Sequence, residues 1–283
     1  MIGPALSCST PREPKEVPVN ACPKTPSPRL AAFAAALLLS NGVAHATPLP
    51  NPPFAGGFVP ANAAVLKAEQ LIMKTIAKAF TSGQSCFTKG ATNVFKGRPG
   101  TAGDGDAQAC LSDPQKGVAA RAQSLIIGLY ATFPPSVQNC LLANVGVLTG
   151  LQSQTSGLLP RAFCAGSTDL PAAFGAGAKL PDDKATLQAE VKAISIFGKA
   201  CAAVQKCIDK GVQALAKGEG GDGGVTSCAQ AAQAKGEAEF EKLRAKSGGS
   251  PACIFDGTTK DEAISAFRNL MFTVTAAVYC AEN

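Results

Sequence analysis

The residues best able to do chemistry in this sequence are its cysteines. After two near the N-terminus, Cys8 and Cys22, they fall at 86, 110, 140, 164, 201, 207, 228, 253 and 280. Their spacing rules out more than it offers. No two stand as C-x-x-C, so neither a thioredoxin-like redox motif, a zinc ribbon nor a covalent haem site is written here. The only histidine is His45, inside a segment read below as a removable leader. The remaining chain therefore has no Ser-His-Asp or Cys-His arrangement and no imidazole for a metal. Its glycines fit neither a P-loop nor a dinucleotide fingerprint. No catalytic motif, metal site or cofactor is expected, and the sequence reads as non-enzymatic. Ser-Lys and paired-carboxylate mechanisms leave no local signature, so at this level they stay open.

The cysteines do follow a period. Residues 78–97, KAFTSGQSCFTKGATNVFKG, align without a gap on residues 199–218, KACAAVQKCIDKGVQALAKG, with eight of twenty positions identical. Beyond this block Cys86, Cys110, Cys140 and Cys164 answer to Cys207, Cys228, Cys253 and Cys280, at intervals of 113–121 residues. That is far too long for a solenoid repeat and reads as a duplicated unit. Eight cysteines allow 105 pairings, but helix geometry favours some. A chain leaving Cys86 travels about 15 Å to the end of its helix, and a loop of a dozen residues returns easily. Cys86–Cys110 and Cys207–Cys228 are thus the expected local staples. Cys140, Cys164, Cys253 and Cys280 stay open between pairing within a half, across halves or onto the long helix. Cys201, matched by Phe80 in the first half, is the odd thiol and reads as a buried free cysteine.

Two further sets of residues invite a ligand. Asp104, Asp106 and Asp222 sit in Gly-rich loops, GRPGTAGDGDAQ and GEGGDGGVTS, but lack the spacing and closing Glu of an EF-hand, so a hairpin connection is expected. Lys67, Lys74, Lys78, Lys89 and Lys96 form one narrow stripe at helical spacing, and Lys192, Lys199, Lys206, Lys210 and Lys217 form another. The plain reading is a solvated helix face. The sharper one is a site for an anionic surface or polymer, such as an acidic glycan, lipid headgroups or nucleic acid. No tryptophan and few aromatics speak against dedicated nucleic-acid recognition.

The elements that must carry these residues are helices. From Ala61 to about Lys96, Val65, Ile72, Ile76, Phe80, Phe87 and Val94 fall opposite the first lysine stripe, with Gly83 as an expected weak point. In the second half Asp182 or Asp183 caps a matching helix, with Ile194, Phe197, Cys201, Val204, Ile208, Val212 and Leu215 on its apolar side. A second helix should open at Cys110, with Asp113-Pro114 as cap and first turn, and run to about Ala131. Its counterpart should run from Cys228 to about Lys246. A third helix follows in each half. Its apolar stripes are Val137, Leu141, Val145, Leu148 and Ile264, Phe267, Met271, Val274, Val278, the latter announced by a Thr259/Glu262 capping box.

The expected architecture is all-α: two duplicated three-helix units, disulfide-stapled. Residues 61–164 and 181–283 are the repeats, 165–180 the linker and 47–60 a Pro/Gly-rich arm. Residues 1–46 read as a signal peptide, with an apolar run of ten at Leu30–Leu39 and an Ala44-His45-Ala46 cleavage signal. Ten apolar residues are too few to span a bilayer, which takes roughly 20, and no transmembrane segment is expected after Ala46 either. Cleavage there leaves 22 basic and 18 acidic side chains. Nine cysteines in an exported chain imply disulfides and a secreted or periplasmic location.

Overall fold

Two helices of equal length organise the chain. α1 (Ala63–Phe95) and α5 (Lys184–Ala216) are 33 residues each, and each starts on a side-chain cap. The Asn62 carboxamide oxygen accepts the N–H groups of Ala64 and Val65, and the Asp183 carboxylate accepts that of Thr186. This satisfies donors that the first turn leaves without a helical partner. Both end at a glycine with positive φ, Gly97 (71°) and Gly218 (84°), the usual left-handed exit from a helix.

The computed structural model describes residues 47–49, 57–143, 162–256 and 274–279, all within one unit spanning residues 44–283. After α1 come α2 (Ala107–Ser112), α3 (Val118–Tyr130) and α4 (Pro135–Ala143). After α5 come α6 (Val225–Lys246) and the single-turn α7 (Ala252–Phe255), and residues 274–278 are again helical. The described part is mostly helical, with two short antiparallel ladders. β1 (Thr47–Pro48) pairs with β2 (Phe58–Val59), and β3 (Thr168–Asp169) with β4 (Lys179–Leu180).

Several expectations are corrected by these elements. A single helix from Cys110 to Ala131 does not form. Asp113 closes α2 and turns its carboxylate to the N–H groups of Gln115 and Lys116, a local turn that competes with helix continuation. α3 then starts afresh after Gly117. The counterpart without Asp-Pro, α6, runs unbroken to Lys246 as expected. α1 passes through Gly83 without interruption. Leu111 packs against it there, at 3.4 Å from where a Cβ would stand, close to an ordinary contact distance. Most of the stripe proposed for the third helices, with Thr259 and Glu262, lies outside the described residues. Leu141, Val274 and Val278 are buried.

The two long helices pack against each other and run antiparallel. Near one end the Gln70 side chain donates to the Asp209 backbone carbonyl (3.4 Å) and accepts from Gln213 (3.2 Å). Towards the other end Gly198 lies against the Gln84 side chain. This register places Phe80 and Cys201 at the crossing. One core joins residues from both halves: Ile72, Met73, Ile76 and Phe80 of α1 with Cys201, Val204, Ile208 and Val212 of α5. Full burial of each such aliphatic side chain contributes about 1.5–3 kcal/mol.

The arm and the linker also belong to the core. Leu49 and Val59 are buried, and the N–H of Phe58 donates to the carbonyl of Tyr279. In residues 165–180 Leu170, Phe174 and Ala178 are buried. The Phe174 ring stands edge-on to Phe87 and Phe163 at 5.5 and 5.9 Å, an arrangement aromatic quadrupoles favour. What the glycine and proline content marks as a boundary is therefore a packed strap across both halves.

Candidate functional site

Three disulfides fix the described helices. Cys86–Cys110 ties α1 to α2 and Cys207–Cys228 ties α5 to α6. Cys164–Cys253 joins the first half to the second, across 89 residues. This selects among the alternatives left open for Cys164 and Cys253. The Cys140 side chain and Cys280 lie outside the described residues. Cys201 is a free, buried thiol, and burial pushes its pKa well above the ordinary thiol value, which keeps it protonated and unreactive.

The aspartate loops repeat one construction. Asp104 accepts the N–H of Asp106 (3.0 Å) on one carboxylate oxygen and that of Gln108 (2.8 Å) on the other. Asp222 does the same with Gly224 and Thr226, both at 2.9 Å. The loops press onto α1 and α5 where these carry glycine. A Cβ on Gly90 would meet Ala107 at 2.6 Å and the Asp104 carbonyl at 2.7 Å, and one on Gly211 would strike Val225. Two of the three loop aspartates that invited a ligand, Asp104 and Asp222, are thus spent on starting α2 and α6. Asp106, just after the first of them, holds a left-handed φ of 67°.

All ten stripe lysines are exposed. Passing around α1, one meets α2 through Gly83, Cys86 and Gly90, then α5 through Gln70 and Gln84, then the lysines. Around α5 the order is α6 through Ala200, Cys207 and Gly211, then α1 through Gly198 and Asp209, then the lysines. The same order of faces on antiparallel helices puts both stripes on one side of the pair. Ion pairs among the described residues involve Lys179 with Asp169, Lys242 with Glu239, and Arg244 with Glu241, none of them stripe lysines. The second stripe is partly balanced at its edge. Glu239 on α6 is held below the usual carboxylate range first by Lys242, then more weakly by Lys192 and Lys199.

Sequence reading missed a set of buried polar groups. Glu69 and Glu190 sit on the apolar faces of α1 and α5 with no exposure at all. Glu190 Oε1 accepts the N–H groups of Cys164 and Ala165, both at 3.0 Å, while Oε2 has no partner. Burial pushes this carboxyl up to about 7, against those two hydrogen bonds. Asp209 is raised to about 6 by burial, opposed by the amide of Gln205 at 2.9 Å and by Lys74. Tyr279, fully buried with its hydroxyl unpartnered, is raised well above its usual value by burial and then by Asp209 and Glu69. A signal was available: extending the ungapped alignment upstream pairs the caps Asn62 and Asp183, and pairs Glu69 with Glu190, the latter two being carboxylates where the helical pattern demands apolar residues. Among the described residues, Cys164, Glu190 and Cys253 also bring three potential metal-ligating atoms within 4.8 Å of one another, but the two sulfurs are joined.

No protein-family model matches the chain, and no curated protein or solved structure matches it either. Three disulfides fit an oxidising extracellular or periplasmic compartment. Among the described residues no helix is long and apolar enough to cross a membrane.

Proposed function

We propose that this is an exported, non-enzymatic binding protein, built from two copies of one cysteine-bearing unit, that presents a lysine face to an anionic surface or polymer. On this reading the leader is removed near Ala46. The duplication is supported by construction recurring at matching positions: caps at Asn62 and Asp183, buried carboxyls at Glu69 and Glu190, contact glycines at Gly90 and Gly211, loop carboxylates at Asp104 and Asp222. Each would have to arise twice independently if the halves were unrelated.

The observation that carries the binding function is the set of ten exposed lysines on one side of the α1–α5 pair, without an ion-pair partner among the described residues. Such a field attracts polyanions without reading their sequence, and salt weakens it by counterion competition. The test uses the exported chain, its first residue, Thr47 on this reading, being verified by intact mass. The chain should be retained on a sulfated-glycan resin at low salt and released by modest salt. Replacing Lys67, Lys78, Lys89, Lys206 and Lys210 by Glu should abolish retention while leaving the circular dichroism spectrum unchanged. Parallel titrations with anionic vesicles and duplex DNA rank the partners. No retention of the wild-type chain at low salt, or retention indifferent to the charge reversal, would sink the reading.

A further inference from the structure

We propose that the Cys164–Cys253 bridge is a thiol–disulfide exchange site, with the buried Glu190 carboxyl as proton donor to the departing sulfur. This goes beyond the lysine face and does not depend on it. Three observations meet at this place. A carboxylate oxygen of Glu190 and both sulfurs lie within 4.8 Å of one another. Glu190 is completely buried, held by the Cys164 and Ala165 N–H groups on one oxygen and free of partners on the other. The two cysteines of the bridge are only half-buried, at the edge of a small buried cluster. Among the described residues neither other disulfide gathers a carboxylate with its two sulfurs in this way.

A buried carboxyl left with an unused oxygen is costly unless it carries a proton, and burial raises Glu190 into the range where it holds one near neutral pH. A proton donor of that strength suits a leaving thiolate. The partner class is a dithiol. One of its thiols, as the thiolate, attacks Cys253 Sγ. The Cys164–Cys253 bond breaks, and the electron pair goes to Cys164 Sγ, which takes the proton from Glu190. The second thiol of the reductant, deprotonated by solvent, then attacks the mixed disulfide and expels the Cys253 thiolate, which is protonated from solvent. The dithiol leaves as a cyclic disulfide, two electrons have passed to the protein, and Glu190 regains its proton from water. The Cys164 N–H holds the Glu190 carboxyl beside the bridge, and in this proposal Cys164 is the departing sulfur.

The experiment reduces the full exported chain with dithiothreitol at pH 7, quenches with acid, alkylates, and follows each bridge by peptide mass. In the wild-type chain Cys164–Cys253 should open first of the three. In Glu190→Gln, which keeps the hydrogen-bond acceptor but cannot donate that proton, its opening should slow by about tenfold or more, with Cys86–Cys110 and Cys207–Cys228 unchanged. Equal opening of Cys164–Cys253 in both chains would overturn the assignment. So would a wild-type chain in which this bridge opens after the two helix staples, a measurement that stands even if the variant fails to fold.

Discussion

At the scale of single residues the buried carboxyls dominate behaviour with pH. Glu190 and Asp209 have folded-state pKa values raised to about 7 and about 6, so the folded chain binds their protons more tightly than the unfolded chain does. Their contribution is fully present below the unfolded values of 4.5 and 3.8 and is lost as pH rises through the folded ones. Stability should therefore fall between about pH 4.5 and pH 7 and level off above. For Glu190 the loss is on the order of 3 kcal/mol. Asp183 and Asp222, lowered by their bonds to Thr186 and Thr226, act in the opposite sense, at more acid pH. Urea midpoints measured from pH 4.5 to pH 8 check this, and Glu190→Gln should flatten much of the slope; a midpoint that climbs over the same range would refute it. The sequence shows these groups only as carboxylates. Their pKa values depend on which side chains cover them, and that is decided by packing.

Elements explain why one substitution has opposite effects at different glycines. Gly90 and Gly211 stand where α2 and α6 begin against α1 and α5, and a Cβ there meets backbone or a buried branched side chain. Gly90→Ala and Gly211→Ala should each cost about 1–3 kcal/mol through overpacking. Gly128, exposed in the last turn of α3, has nothing within 4 Å of an added Cβ. Gly128→Ala should stabilise by about 0.5–1 kcal/mol, because alanine loses less backbone freedom on entering a helix. Denaturant midpoints for the three variants settle the signs. The long helices and their lysine stripes were legible, because a 3.6-residue period over 33 residues is a strong signal. The split of the second helix in the first half was not. Asp113-Pro114 reads equally as a helix start or a turn, and only the choice of Asp113's hydrogen-bond partners separates the two.

Residues 44–283 form one compact unit, and its two larger clusters of buried residues each draw on both halves. Ile72, Met73 and Phe80 are covered by Cys201, Val204 and Ile208 of the other half, and Cys164–Cys253 links the halves covalently. Unfolding should be a single calorimetric transition. Residues 47–164 and 165–283 produced separately should show little native near-ultraviolet circular dichroism, and mixing them should restore it. Two independent transitions, or a well-folded isolated half, would contradict the shared core. Pairing at the crossing also accounts for the one mismatch in the aligned blocks that concerns a cysteine. Where α1 carries Phe80, the antiparallel register brings up Cys201; a second Phe there would overfill the interface.

What the sequence by itself determined is whatever depends on neighbours along the chain: helical period, a cap at Asp182 or Asp183, the reach of Cys86 to Cys110 and of Cys207 to Cys228, and the lysine stripes. Tertiary structure alone decided what depends on contacts across a hundred residues. It chose Cys253 as the partner of Cys164, made a strap of residues 165–180, brought both lysine stripes to one side, and buried Glu190 beside a disulfide. Local periodicity fixes which face of a helix is apolar, but not which apolar face it meets. That second choice is made by the summed burial of the whole core, and the chemistry of Glu190 and Cys164 follows from it.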